Sequence, residues 1–440
     1  MSDSTFDFLQ HWYPVSPLED LDPECPTPVV VLGKRIVIWK PRFSDHYRAF
    51  LDQCPHRLAP LSEGRVDEKT GHLMCSYHGW QFDEQGTCTQ IPQAEDSELV
   101  AKNRDRYCVT ALPMQAVNGL LWVWPDPDSA HLASAQALPL SPYWNAGSEF
   151  VWASIVRDLE YDWQTLVENL ADPSHVPFAH HGVQGRRERA QPTPIKIVES
   201  TQDRIEAKSE GSFTTKITFT PPCHLEYAIS LGGDRQVGLV TYCVPVAPGK
   251  SRIVAQFSRN FAKRLHQITP RWWDHISVRN SILDGDMILL HYQEKELQQR
   301  SQTEDWKTAY KMPTSADRLV IEFRRWIDQY CQGKLPWGEL ENDQKMPLGD
   351  RQHLLDRYHQ HTLICSSCRR ALKNLHRLQI GLLAYFGVAL SAAALVPDRF
   401  RFFLSLPLVL TALLGLAIWA VLKYRLEPKF YFVDYVHAKR

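Results

Sequence analysis

At 440 residues, with 44% hydrophobic and 22% charged content, the chain is long enough for two or three structural units with substantial cores. A formal net charge of −1, with no long basic run, excludes a partner held through nucleic-acid phosphates. Ten cysteines without a regular framework suit a reducing compartment rather than a disulfide scaffold. The acidic opening "MSDSTFDFLQHWYPV" reads as neither a secretory signal nor a transit peptide.

Residues 10–125 are predicted to form short β-strands. "PVVVLGKRIVIWKP" holds two apolar runs split at Gly33-Lys34, a hairpin signal, and "GLLWVWP" is a further strand. Within this block lie two Cys–His pairs, Cys54-Pro55-His56 and Cys75-Ser76-Tyr77-His78, separated by the eighteen residues from Arg57 to Met74. Two thiolates and two imidazoles supplied by paired loops suit a Rieske [2Fe–2S] cluster, in which two His replace the Cys pair on one iron. Structural zinc is the competing reading, but zinc motifs pair like ligands, whereas each pair here mixes one Cys with one His. With Gly79-Trp80 behind the second pair and "HWYPV" upstream, the stretch resembles the Rieske domain of ring-hydroxylating oxygenases.

Residues 125–142 read as a linker. The next block, 145–345, is predicted to be α+β around an antiparallel sheet. A strand passes into a helix along "EFVWASIVRDLEYDWQTLVENLADPSH", strands follow from Ile195 to Ser258, and helices lie near Trp272–Gln299 and Ser315–Cys331. "ENLADPSHVPFAHH" places His175 and His180 five apart, with Val176-Pro177 expected to end a helix between them. Two histidines and one distant carboxylate make the triad of non-heme Fe(II) oxygenases. The candidates are Asp286, Asp284 and Glu294, all in "ILDGDMILLHYQE". Asp286 is preferred because Gln293 follows it at the spacing of that enzyme class. Asn169 is expected near the iron, and His181 is read as a neighbour rather than a ligand.

Residues 346–377 hold Cys365-Ser366-Ser367-Cys368, a C-x-x-C pair read as a redox pair and a target for thioredoxin. It is weak evidence for zinc, although His359, His361 and His376 lie nearby. From 378 to 422, two nearly uncharged stretches, Leu378–Val396 and Phe402–Leu422, are each long enough to span a bilayer. Basic residues on both sides place the ends of this transmembrane hairpin, and the catalytic domain, on the cytoplasmic side. A hairpin of buried core helices is the alternative.

The combination of the Rieske motif, "ENLADPSHVPFAHHG", the C-x-x-C pair and a closing hairpin resembles the pheophorbide a oxygenase-like group, which includes Tic55 proteins and protochlorophyllide-dependent relatives. The resemblance spans the chain. It implies an all-β Rieske domain, a helix-grip-like catalytic domain with an antiparallel sheet, and a C-terminal membrane anchor. By it Cys54, His56, Cys75 and His78 would bind the cluster, and His175, His180 and Asp286 the iron. Asp172 would carry electrons from His78 of a neighbouring subunit to His175, and a cyclic homotrimer follows by analogy. The implied activity is a ferredoxin-fed monooxygenase acting on a hydrophobic substrate, foremost a chlorophyll-type tetrapyrrole, with a sterol or a purely redox-sensing role as alternatives. Plant members carry transit peptides, so a cyanobacterial protein of the thylakoid or plasma membrane, or a mature form, is expected.

Overall fold

The computed structural model describes residues 5–440 apart from 97, 99–101, 144–148, 212, 302, 334–336 and 338–348. The domain boundaries expected at 145, 345 and 346 fall outside the described residues.

The N-terminal block is all β. Strands β1 (Tyr13–Pro17), β2 (Thr27–Val31), β3 (Lys34–Trp39), β4 (Arg48–Leu51), β5 (Arg65–Val66), β6 (Leu73–Met74), β7 (Gln81–Phe82), β8 (Cys88–Gln90), β9 (Ala111–Leu112), β10 (Met114–Val117) and β11 (Leu120–Val123) follow in order. They form three antiparallel sheets, ordered β1-β11-β10, β2-β3-β4-β9 and β5-β6-β7-β8. The predicted β2–β3 hairpin is present, but its turn is Leu32-Gly33, one residue earlier than expected. Both residues have positive φ, 52° and 73°, which a two-residue turn of matching twist requires. The turn's amides donate to Pro245 O and Val246 O, at 2.9 and 2.8 Å, so the tip is anchored on the second domain.

That domain is built on a seven-stranded antiparallel sheet. Its strands are β12 (Val151–Leu159), β13 (Ile195–Ser200), β14 (Ile205–Glu210), β15 (Thr214–Thr220), β16 (His224–Ser230), β17 (Gln236–Ala247) and β18 (Lys250–Arg259). The order is β12-β18-β17-β16-β15-β14-β13, a meander with β12 on one edge. Helix α1 (Trp163–Ala171) opens at Asp162, whose carboxylate caps Gln164 N. It buries Trp163, Leu166, Val167 and Ala171, the spacing of one helical face. Helix α2 (Asn280–Arg300) continues two short turns that start at Arg271, and α3 (Arg318–Tyr330) buries Leu319, Phe323, Trp326 and Ile327. These helices share one core with the sheet and with β1, β2, β3 and β11. A second core lies under the Cys–His loops and includes Trp39, Phe50, Leu61, Leu73 and Phe82.

The chain then forms α4 (Ser366–Leu395) and α5 (Leu406–Val421), the latter lying within a helical path from Asp398 to Phe430. Helix α4 and the path from Asp398 to Phe430 are each long and apolar enough to cross a membrane. They are not core helices: Ile380, Val388, Leu395, Phe402 and Phe403 are two-thirds or more exposed. Within α4 and α5, burial beyond Gln379 is confined to small residues where the helices meet, Ala389, Ala393, Ala412 and Gly415, and Tyr385 donates to Thr411 Oγ1 at 2.7 Å. The last residues return to the second domain. Arg357 N donates to Tyr431 O at 2.9 Å, Thr362 Oγ1 to Phe430 O at 2.7 Å, and Tyr435 is buried against α2.

Candidate metal centres and active site

The two Cys–His loops have one backbone design. Leu58 N donates to Cys54 O at 2.8 Å and Gly79 N to Cys75 O at 2.9 Å; Cys54 N donates to Ala59 O and Cys75 N to Trp80 O. Leu58 and Gly79 both lie in the left-handed region, at φ 62° and 74°, which turns each loop back on itself. The thiols of Cys54 and Cys75 are buried in the second core, while the histidines lie nearer the surface. The His56 and His78 rings sit 4.4 Å apart, and His56 stacks on Trp80 at 4.7 Å. His56 Nδ1 is buried with no protein partner, as a ligand nitrogen awaiting an iron would be. Burial pushes the Cys54 thiol up to about 12, a cost that a cationic centre offsets by binding the thiolate. The donor set therefore fits a [2Fe–2S] cluster with two Cys and two His ligands.

The second set is assembled around Pro173 and Pro177. Helix α1 stops at Asp172, whose side chain caps Ser174 N at 2.8 Å and starts a single turn through His175. A short helix, Val176–Ala179, follows, with Pro177 in its first turn and His180 at its end. The expected break at Val176-Pro177 is thus found four residues earlier, at Asp172-Pro173. Pro177 opens a helix instead of closing one, since a first-turn residue needs no donor. His175 and His180 end up facing each other, their Nε2 atoms 3.2 Å apart.

Asp286 completes the group from α2, with Oδ1 3.8 Å from His175 Nε2 and Oδ2 3.4 Å from His180 Nε2. These three residues can each present one ligand atom to a single ion. His175 Nδ1 bonds the main-chain carbonyl of Asp172, which leaves Nε2 with its lone pair toward the other two. Burial, reinforced by His175, lowers His180 to about 3, so its imidazole stays neutral and able to ligate. Burial raises Asp286 to about 6, against the opposing pull of His175 and a hydrogen bond from Asn169. A buried carboxylate facing two imidazole nitrogens makes a donor set with room for a cation, and an Fe(II) ion fits it.

The other two carboxylates are occupied elsewhere. Asp284 pairs with Arg157 at 2.7 Å and Arg357 at 2.6 Å. Glu294 accepts from Asp162 N and Thr165 Oγ1, at 2.6 and 2.9 Å. The Asp172 carboxylate is 3.9 Å from His175 Nδ1, so the main-chain carbonyl, not the side chain, is the closer support of that ring. His181 accepts from Arg187 N at 3.1 Å and takes no part in the triad.

A cavity of about 310 Å³ touches all three residues and is walled by side chains such as Ile155, Leu166, Ile253 and Ala255. It shares Gln184, Ile229, Leu239, Phe257 and Arg279 with a wider cavity of about 680 Å³, which extends to Leu265, Glu19 and Arg271 near the start of α4. Arg279 lies 3.5 Å over the Phe257 ring and pairs with Asp274 at 2.8 Å.

Residues 11–110 match the Rieske [2Fe-2S] domain family, and residues 219–304 match the pheophorbide a oxygenase family. Over its full length the chain is 40% identical to pheophorbide a oxygenase of Oryza sativa subsp. japonica, covering 86% of that protein. It belongs to the pheophorbide a oxygenase family of Rieske non-heme iron oxygenases. Flavonoid 8-hydroxylase 2 of Ocimum basilicum is 35% identical over 89% of the chain and 79% of its own length. The protochlorophyllide-dependent translocon component 52 of Arabidopsis thaliana is 32% identical over 98% and 86%. Dicamba monooxygenase shares the fold, with a TM-score of 0.62 at 19% identity, over 75% of this chain and 98% of its own. The oxygenase thus has the Rieske domain and the mononuclear-iron domain expected of its family.

Neither His275 nor the return of the C-terminal tail was anticipated. His275 stands with His361, Cys365 and Cys368, while His359 pairs with Asp356 and His376 with Glu427. Tyr435 OH donates to Ala179 O at 2.8 Å and His437 Nε2 to Gly285 O at 3.0 Å, bracketing the residues beside His180 and Asp286. No local sequence signal marks either feature, since both join segments far apart in the chain.

Proposed function

We propose that this oxygenase is a membrane-anchored monooxygenase that takes electrons from a reduced ferredoxin and oxygenates a chlorophyll-type tetrapyrrole. The observation that carries this reading is the apolar cavity at the iron triad and its widening toward the base of the two apolar helices. Leu265, Ile268 and Trp273, near that base, are exposed, a surface suited to a substrate arriving from a bilayer. The full-length similarity to pheophorbide a oxygenase supports the substrate class.

In this reading α4 and α5 form a transmembrane hairpin over a helix-grip-like catalytic domain, and Cys54, His56, Cys75 and His78 hold the cluster. His175, His180 and Asp286 hold the mononuclear iron. When bound, the cluster supplies single electrons and the iron a place to activate O₂. The protein's part is to orient and to exclude. The Asp172 carbonyl fixes the His175 ring, Asn169 holds the Asp286 carboxylate, and the apolar walls keep bulk water from the reacting face. A propionate on the substrate would meet Arg279 where the two cavities join. One oxygen atom enters the product and the other leaves as water, with two electrons and two protons consumed.

The test is anaerobic reduction by ferredoxin, then labelled O₂ and separate tetrapyrrole, flavonoid and sterol substrates, followed by mass spectrometry. One labelled oxygen in a tetrapyrrole product is the expected result. Labelling only of a flavonoid or sterol, or none with any substrate while both centres are loaded, overturns the assignment.

We also infer that electrons reach the iron from the cluster of a neighbouring subunit in a trimer, through His78 and Asp172. Both groups are partly exposed, and Asp172 lines a surface cavity of about 340 Å³ beside His175. Asp172→Asn is expected to slow reoxidation of the reduced cluster by O₂ and substrate ~10–100-fold, the scale set by loss of an outer-shell partner. Stopped-flow absorbance measures it. Unchanged reoxidation with both centres loaded excludes this route.

A further inference from the structure

His275, His361, Cys365 and Cys368 form a second constellation, away from the cluster loops and the iron triad, and all four are buried to within 1%. We propose that these four residues bind a structural zinc ion that fastens the first apolar helix to the helix carrying Asp286.

The argument begins with hydrogen atoms. His275 Nε2 lies 3.0 Å from Ser154 O, and His361 Nδ1 2.6 Å from Val156 O. A carbonyl only accepts, so each of these nitrogens carries its ring's N–H. Neutral imidazole has one such hydrogen. His275 Nδ1 and His361 Nε2 are therefore left with lone pairs, and they face each other at 3.1 Å. Two lone pairs at that distance repel unless a cation lies between them.

The sulfurs complete the figure. Cys365 Sγ is 3.6 Å and Cys368 Sγ 3.7 Å from His275 Nδ1, and Cys368 Sγ is 3.4 Å from His361 Nε2. A tetrahedral ion with zinc's usual bond lengths sets its ligand atoms ~3.3 Å apart for N···N and ~3.6 Å for N···S. The four atoms thus already stand near the corners of a zinc tetrahedron. Two S and two N in that shape favour zinc, and with no corner open to solvent the site is structural, not catalytic.

Its surroundings match. Ser154 and Val156 alternate on β12, the edge strand, so both carbonyls point the same way off the sheet and aim both rings. Arg271 Nη2 donates to Cys365 Sγ at 3.0 Å, as it would to a thiolate, and pairs with Asp20 and Glu19. Ile276, Leu372, Leu375 and Phe430 pack around the group. Both histidines lie in π-helical turns, His275–Arg279 and Tyr358–Thr362, a local widening common at functional sites. A reversible Cys365–Cys368 disulfide, by contrast, requires attack by an outside thiolate, and neither sulfur is accessible.

Metal analysis of the untagged full-length protein, purified in detergent with reductant and washed with chelator, tests this. About one zinc per chain is expected beside the iron, with the zinc X-ray absorption edge reporting two sulfur and two nitrogen neighbours. Cys368→Ser and His361→Ala should each lower zinc at least tenfold while the Rieske absorption stays. The X-ray measurement needs no variant, so a misfolded mutant does not spoil the test. Wild-type protein without zinc, its Cys365 and Cys368 recovered as a disulfide or as free thiols, overturns the proposal. So does zinc with only N and O neighbours, or zinc retained after both substitutions.

Discussion

Asp286→Ala is expected to empty the mononuclear site and abolish oxygenation while the visible absorption and EPR signal of the [2Fe–2S] cluster persist. The residue supplies the only carboxylate among the three groups that face one another at the triad, so what remains is two imidazoles. The loss of turnover should exceed the ~10–100-fold typical of removing a mere outer-shell partner. Stability should move the other way. A buried carboxylate that burial has already pushed up to about 6 is a cost to the metal-free fold, and alanine removes it. Iron analysis, product assay and thermal inactivation of the metal-free protein measure the three effects separately. Turnover that survives with the iron still bound would take Asp286 out of the ligand set.

Asp284→Ala, two positions earlier, is expected to do the reverse and damage the fold first. Asp284 stands between Arg157 and Arg357, which are 0% and 1% exposed. Arg157 also bonds Gln360 and Asn280, and Arg357 bonds Ile276 O, Ser281 and Lys429 O. The group ties β12, α2, the turn at Tyr358 and the C-terminal tail to one point. Removing its anion leaves two buried guanidiniums uncompensated, and losing one partner of such a pair costs ~3–5 kcal/mol. Denaturant titration of the solubilised protein, with iron content measured on the surviving fraction, checks this. A variant as stable as wild type would show that the arginines are satisfied by their carbonyl and amide partners alone.

The contrast between these neighbours shows how far the residues alone could be read. The two Cys–His loops were readable as a candidate cluster site because their chemistry is local: each loop carries its own Cys and His. His175 and His180 were legible for the same reason, although the break that aims them lies at Pro173, because a proline can open a helix as readily as end one. The carboxylate was harder. Asp284, Asp286 and Glu294 share one helix, and only what approaches each face separates them: two arginines, two histidines, and the cap of α1. Strand alternation and the apolar stretches gave most of the architecture. The β2–β3 turn shifted by one residue because Leu32 tolerates a left-handed conformation when its amide is held by Pro245 O. The partners of Cys365 and Cys368 were half visible. His361 lies four residues from Cys365, but His275 is 90 residues away and was read only as part of a helix.

The returning tail has a consequence for biogenesis. Tyr435 and His437 brace the backbone at Ala179 and Gly285, and both follow α4 and α5 in the chain. The pocket therefore cannot reach its finished shape until α4 and α5 have been made. A chain cut between α5 and Tyr435 keeps His175, His180 and Asp286 but lacks the brace behind them, so the shaping of the pocket is tied to the synthesis of both apolar helices.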